Sequence, residues 1–157
     1  MSKNLNLVLY KAIDGKLVEH NVKTILSQEI SDTLLKLITD DYSLISQDVY
    51  FDEELSKSFK IDCFDNSEVD SVLCKLKSHF KTLLSHEYET LIGNSSKEIS
   101  PEGDYEKNIV DIFSHEGRTD TVEHSIARFS ILTGVINLFS KKVEHLSSEK
   151  YAVIKLG

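Results

Sequence analysis

Tryptophan is absent from these 157 residues, and there are only one proline, one methionine and two cysteines. So few thiols exclude a disulfide-stapled scaffold. Cys63 and Cys74 stand eleven apart with no C-x-x-C, and they read as free, packed residues. No run of 18 apolar residues occurs, so no segment reads as a membrane-spanning helix. Met1-Ser2-Lys3-Asn4 leads directly into a strand-like segment, with no long apolar stretch and no small-residue cleavage site. No signal peptide is expected, and the expected compartment is the cytoplasm. Asn94-Ser95-Ser96 fits the glycosylation pattern, which matters only in a secreted protein.

The familiar catalytic signatures are missing too. The six glycines are scattered. They form neither G-x-x-x-x-G-K-[ST] nor G-x-G-x-x-G, the loops whose backbone amides cradle phosphate. G-x-S-x-G is absent, which removes the usual serine-hydrolase elbow. His86-Glu87 and His115-Glu116 each lack a second histidine four positions on, so no H-E-x-x-H zinc site is formed. A two-histidine site at His115 and His124 across Gly117 is weighed against two polar residues near helix ends, and the polar reading is preferred. No catalytic residue, metal or cofactor is therefore expected.

What the chain does have is a confined acidic block. Residues 40–70 hold ten of the 26 acids and two of the 18 bases, and the other 126 residues hold sixteen of each. The whole net charge of −8 thus sits in this segment. A negative face repels nucleic acid and anionic lipid, and it speeds encounter with a basic protein. The plainer reading is a solvated face that keeps the protein soluble.

Periodicity sets out the elements. Leu5–Ile13 and Lys16–Ile25 read as antiparallel strands joined at Asp14-Gly15, a pair suited to the positive φ of a tight turn. Ser27 reads as the cap of a helix carrying Ile30, Leu34, Leu37 and Ile38 and ending near Asp40-Asp41. Residues 44–64 read as a second strand pair joined through Asp52-Glu53-Glu54-Leu55, with a helical turn over Asp52–Lys57 as an alternative. Asp48, Asp52, Lys60 and Asp62 should face outward. Ser67 and Asp70 resemble a capping box opening a helix of about 25 residues that Gly93 ends. A loop, a short helix with Tyr105, Ile109, Ile112 and Phe113, and a long helix over 120–146 follow. The long helix has a seam of Val122, Ile126, Phe129, Leu132, Ile136, Phe139, Val143 and Leu146. Tyr151–Leu156 reads as a last strand returning to the N-terminal pair. The expectation is one α+β domain over 1–157: an antiparallel-rich sheet of N-terminal hairpin, central strand pair and C-terminal strand, packed against three to four helices.

The leading functional expectation is a non-catalytic acidic protein that neutralises a basic partner, as a bacterial immunity protein or antitoxin neutralises a nuclease toxin. Carboxylates on a rigid face imitate the phosphates a nuclease recognises. Asp48, Tyr50, Asp52, Glu53, Glu54 and Asp62 are the candidate surface. Tyr42, Tyr50, Phe51, Phe59 and Phe64 are available as aromatic anchors. A second reading rests on Arg118 and His124, an R-x5-H spacing that resembles the motif of the helical HEPN ribonucleases. The resemblance spans seven residues, and Thr119 stands where that family usually has Asn, Asp or His. It implies RNA cleavage, with Arg118 and His124 holding the scissile phosphate and moving protons. A third reading is a structural or adaptor module that forms homo-oligomers.

Overall fold

A computed structural model of the chain describes residues 3–92 and 120–157, with the side chains of 3–87 and 126–157. Its elements run β1 (Lys3–Ile13), β2 (Lys16–Ile30), α1 (Asp32–Thr39), β3 (Ile45–Tyr50), β4 (Ser58–Cys63), α2 (Val69–Ile92), α3 (Asp120–His145) and β5 (Ala152–Leu156). The expected loop at 93–104, the short helix around 105–113, and the residues His115 and Arg118 lie outside the described residues, as does the side chain of His124.

The chain is α+β, but the sheet is a closed five-stranded barrel in the order β1-β2-β3-β4-β5, rather than the expected antiparallel-rich layer packed against three to four helices. The expected return of the last strand holds, since β5 pairs antiparallel with β1 over Leu5–Leu9. Closure comes from two short contacts. β2 runs parallel to β3 at Leu17↔Val49 and Val18↔Tyr50, and β4 meets β5 at Asp62↔Leu156 and Cys63↔Lys155. The closure is narrow: beyond these pairs the second half of β2 is laddered on one side only, to β1.

Local chemistry explains each join. Asp14 and Gly15 have φ of 51° and 77°, the left-handed pair that a two-residue hairpin turn demands. Further along, Leu9 pairs with Lys23 and Lys11 with Val18, so Glu19–Val22 bulge opposite Tyr10. Asn21 sits at φ 59° in this bulge, a conformation asparagine tolerates better than most residues. The bulge bends β2, and its first residues then run beside β3.

Ser27 is not a helix cap. β2 continues to Ile30, with Ser27 paired to Asn6 in the ladder, and the cap is Ser31, whose Oγ accepts from the Leu34 amide at 3.2 Å. The Ser67–Asp70 capping box is also replaced. Ser67 donates through its amide (3.0 Å) and its hydroxyl (2.9 Å) to Asp65, which organises the turn before α2.

Two apolar clusters lie on opposite sides of the strands. Leu5 and Leu7 of β1, Ile30 of β2 and Ile154 of β5 join the helices in the larger one. The smaller contains Val8, Tyr10, Leu17, Val49, Ile61, Cys63 and Val153. Every strand contributes to it, so it fills the barrel interior. Adjacent residues of a strand point to opposite faces, which is why Leu7 and Val8, or Val153 and Ile154, divide between the clusters.

The seam of α3 is buried at Phe129, Leu132, Ile136 and Phe139. Val135 and Leu138 are buried as well, because α3 packs against α2 and, on another side, against β2. A single stripe accounts for one neighbour only. Ile126, assigned to the seam, is 39% exposed. Cys63 is buried in the barrel, whereas Cys74, expected to be packed, is exposed on α2. Among the described residues no helix is long and apolar enough to cross a membrane.

The approach of α3 to β2 is close at Gly134, where an added Cβ would stand 2.1 Å from Oε1 of Gln28. Alanine improves a helix interior by about 1 kcal/mol over glycine. Gly134→Ala should therefore stabilise a Gln28→Ala protein by about that amount, while in the parent the displaced glutamine cancels the gain. Urea midpoints of the four proteins measure this coupling. An equal gain in both backgrounds would show that Gln28 leaves without cost.

Candidate functional site

The helices make their principal sheet contacts with β1, β2 and β5. The outer face of the β3–β4 hairpin is left to solvent, and strand alternation decides what it displays. Inward positions Val49, Ile61 and Cys63 are buried. Ser46, Asp48, Ser58, Lys60 and Asp62 are exposed and Tyr50 is half-buried. The outward placing of Asp48, Lys60 and Asp62 thus follows the sequence pattern. The register sets Asp48 opposite Lys60 and Tyr50 opposite Ser58.

Residues 51–57 form the tip. The Phe51 amide donates to the Lys57 carbonyl at 3.1 Å, and the Leu55 amide to the Asp52 carbonyl at 3.3 Å. No helix forms there. Asp52 accepts from the Glu54 amide at 3.1 Å. Leu55 sits at φ 57°, a left-handed conformation that costs a side chain-bearing residue about 1–2 kcal/mol. Asp52, Glu53 and Glu54 are all exposed. Phe51 is 55% exposed and its ring lies 4.8 Å from that of Phe59. By alternation Phe51 belongs to the inward face, but β3 ends one residue earlier and the ring stays at the rim.

The charges are less free than the sequence suggests. Lys11 of β1 hydrogen-bonds and ion-pairs with Glu53, which together hold the Glu53 carboxyl below its ordinary range. Lys60 pairs with Asp48 at 3.4 Å, and Lys75 with Asp41 at 2.6 Å. The Lys16 ammonium lies 5.3 Å from the centre of the Tyr50 ring, within cation–π range. Asp52, Glu54 and Asp62 make no ion pair among the described residues. Lys11 and Lys16 lie outside the acidic block, so its internal charge balance gives no sign of these pairings.

The block is also divided in space. Asp62 lies four residues along β4 from Ser58, where the tip begins, or about 13 Å at strand rise. That exceeds the Debye length of about 10 Å at 0.1 M salt. The tip acids therefore form one patch, and Asp62 with Asp65 a second. The Asp65 carboxyl is held low by its bonds to Ser67.

The barrel interior carries two titratable groups. Burial pushes the Cys63 thiol to about 11, with Asp62 and Asp65 adding to the effect. Burial pushes the Tyr10 phenol to about 12, helped by Glu19 and Cys63. Thiolate is the reactive form of cysteine, so Cys63 is held in its inert state. Among the described residues no group of three or more His, Cys, Asp or Glu is arranged to hold a metal ion. Comparison of the chain with protein-family models, with curated proteins and with solved structures finds no match.

Proposed function

We propose that this chain is a non-catalytic binding protein that neutralises a basic protein partner through its β3–β4 hairpin, as an immunity protein or antitoxin neutralises a nuclease toxin. The observation that carries the reading is the hairpin tip, where the exposed Phe51 ring sits beside Asp52, Glu53 and Glu54. An apolar anchor ringed by charge is the usual composition of a binding hot spot and its rim. The carboxylates steer the partner inward, and the aromatic supplies the buried contact. Asp48 and Tyr50 extend this surface along the strand pair, and Asp62, in the second patch, is its far outlying charge.

The tagged full-length chain, exposed to extract of the cells that make it, should retain one basic protein in near-equal amount, and less of it at high salt. Recovery of no such protein at low salt overturns the reading. The sharper test uses Asp52→Asn, Glu54→Gln and Asp62→Asn together. These acids hold no ion pair among the described residues, and asparagine at 52 keeps an oxygen to accept from the Glu54 amide. Association with the captured partner should slow on the order of tenfold at low salt and little at high salt. An unchanged rate and salt slope would move the interface elsewhere.

A further inference from the structure

On the helical side, α1, α2 and α3 border an open cleft of about 900 Å³, at the upper end of the roughly 300–1,000 Å³ typical of small-molecule sites. Leu34 and Leu37 of α1, Leu83 of α2, and Ile131 and Leu132 of α3 line it. These are aliphatic side chains without an aromatic among them. Lys36 of α1, its C-cap Asp40, His79 of α2 and Arg128 of α3 are the charged and titratable groups on the lining among the described residues. A mostly apolar cleft with a few converging polar groups is the form ligand sites take.

The state of those polar groups selects the ligand. Arg128 bonds Glu87 through one terminal nitrogen at 2.7 Å, and a guanidinium has five N–H donors, so donors remain. Lys75, beside His79, is occupied by Asp41 and the Leu37 carbonyl. The half-buried His79 has no hydrogen bond among the described residues. Burial first, then the Arg128 and Lys75 charges, lower its proton affinity. Among the described residues Asp40 is the one lining carboxylate, against Lys36, Arg128 and His79, and the nearby Asp41 and Glu87 are each held by a cation. The unmet demand is for a negative charge next to aliphatic surface.

We infer that this cleft binds a small aliphatic carboxylate, its chain against the leucine and isoleucine lining and its carboxylate on His79 and Arg128. The anion would offset the two cations that disfavour protonation of His79. Binding should therefore raise the His79 pKa and strengthen as pH falls through it. This site is independent of the hairpin reading.

The test is an NMR titration of the full chain with sodium decanoate at pH 7, with decanol and decylamine as comparison probes. Saturable shifts should appear at Leu37, Leu83 and Ile131, with the His79 ring signals titrating at higher pH once decanoate is bound. Decanol and decylamine should each bind about tenfold more weakly, the scale set by a lost charge-assisted hydrogen bond. Ile131→Trp, checked for folding by circular dichroism, should fill the cleft and remove saturable binding. Decanoate shifts that do not saturate, or equal binding of decylamine or decanol, would overturn the inference. The shift map on the parent chain decides the matter even where the tryptophan variant fails to fold.

Discussion

Phe64→Ala should cost about 3–5 kcal/mol of folding stability, the range for truncating a buried phenylalanine. Phe64 follows β4 directly and is 1% exposed. Its ring meets Phe139 of α3 edge-on, with centroids 5.2 Å apart and planes at 72°. Its amide donates to the Ile154 carbonyl at 2.9 Å. One residue thus ties β4, β5 and α3 together. Truncation loses the transfer energy of the ring, leaves a cavity, and forfeits an aromatic pair worth about 0.5–1.5 kcal/mol. Single domains typically hold 5–15 kcal/mol in total, so the variant should melt about 6–20 °C lower. Phe51→Ala is the internal contrast. That ring is 55% exposed, and its loss should cost under about 1 kcal/mol of stability while weakening partner binding. Urea midpoints with unchanged slopes measure both. A Phe64→Ala loss below that of Phe51→Ala would mean that the β4–α3 junction is not part of the core.

The difference between those two phenylalanines marks where the sequence can be read and where it cannot. Helical stripes such as Val72-Leu76-Phe80 and Phe129-Leu132-Ile136 announce themselves, because a buried face repeats along its own element. The Asp14-Gly15 turn is legible for the same reason: its constraint is local. Barrel closure is not local. It depends on two residue pairs between β2 and β3 and two between β4 and β5, too few to impose a pattern on either strand. The misplaced cap has a similar origin. Ser27 and Ser31 are both followed by helix-compatible residues, and pairing of Gln28, Glu29 and Ile30 with β1 decides between them. At the hairpin, alternation correctly turns Asp48 and Asp62 outward. The partners of Glu53 and Tyr50, however, lie on β1 and β2, and a charge count cannot see them.

The barrel interior should make the protein sensitive to alkali. Cys63 and Tyr10 have folded pKa values raised to about 11 and about 12, from 9.0 and 10.0. A group whose pKa is raised on folding binds its proton more tightly in the native state. The stability it contributes is complete below the unfolded pKa and disappears as pH rises through the folded one. The loss should therefore begin near pH 9 and continue to about pH 12, amounting to about a few kcal/mol for the two groups together. The phenol oxygen of Tyr10 is buried and unpaired among the described residues, as is Oε2 of Glu19. Tyr10→Phe removes such an unmet group, so at pH 7 it should be neutral or stabilising, and above pH 10 it should flatten the decline. Cys63→Ala should remove the earlier part of the fall, between about pH 9 and 11. Urea midpoints at pH 8, 9.5 and 11 separate the two contributions. Phenolate absorbance should show a late-ionising tyrosine near pH 12 that Tyr10→Phe removes. If the double variant loses stability with pH as steeply as the parent, the alkaline loss arises at the surface and not in the barrel.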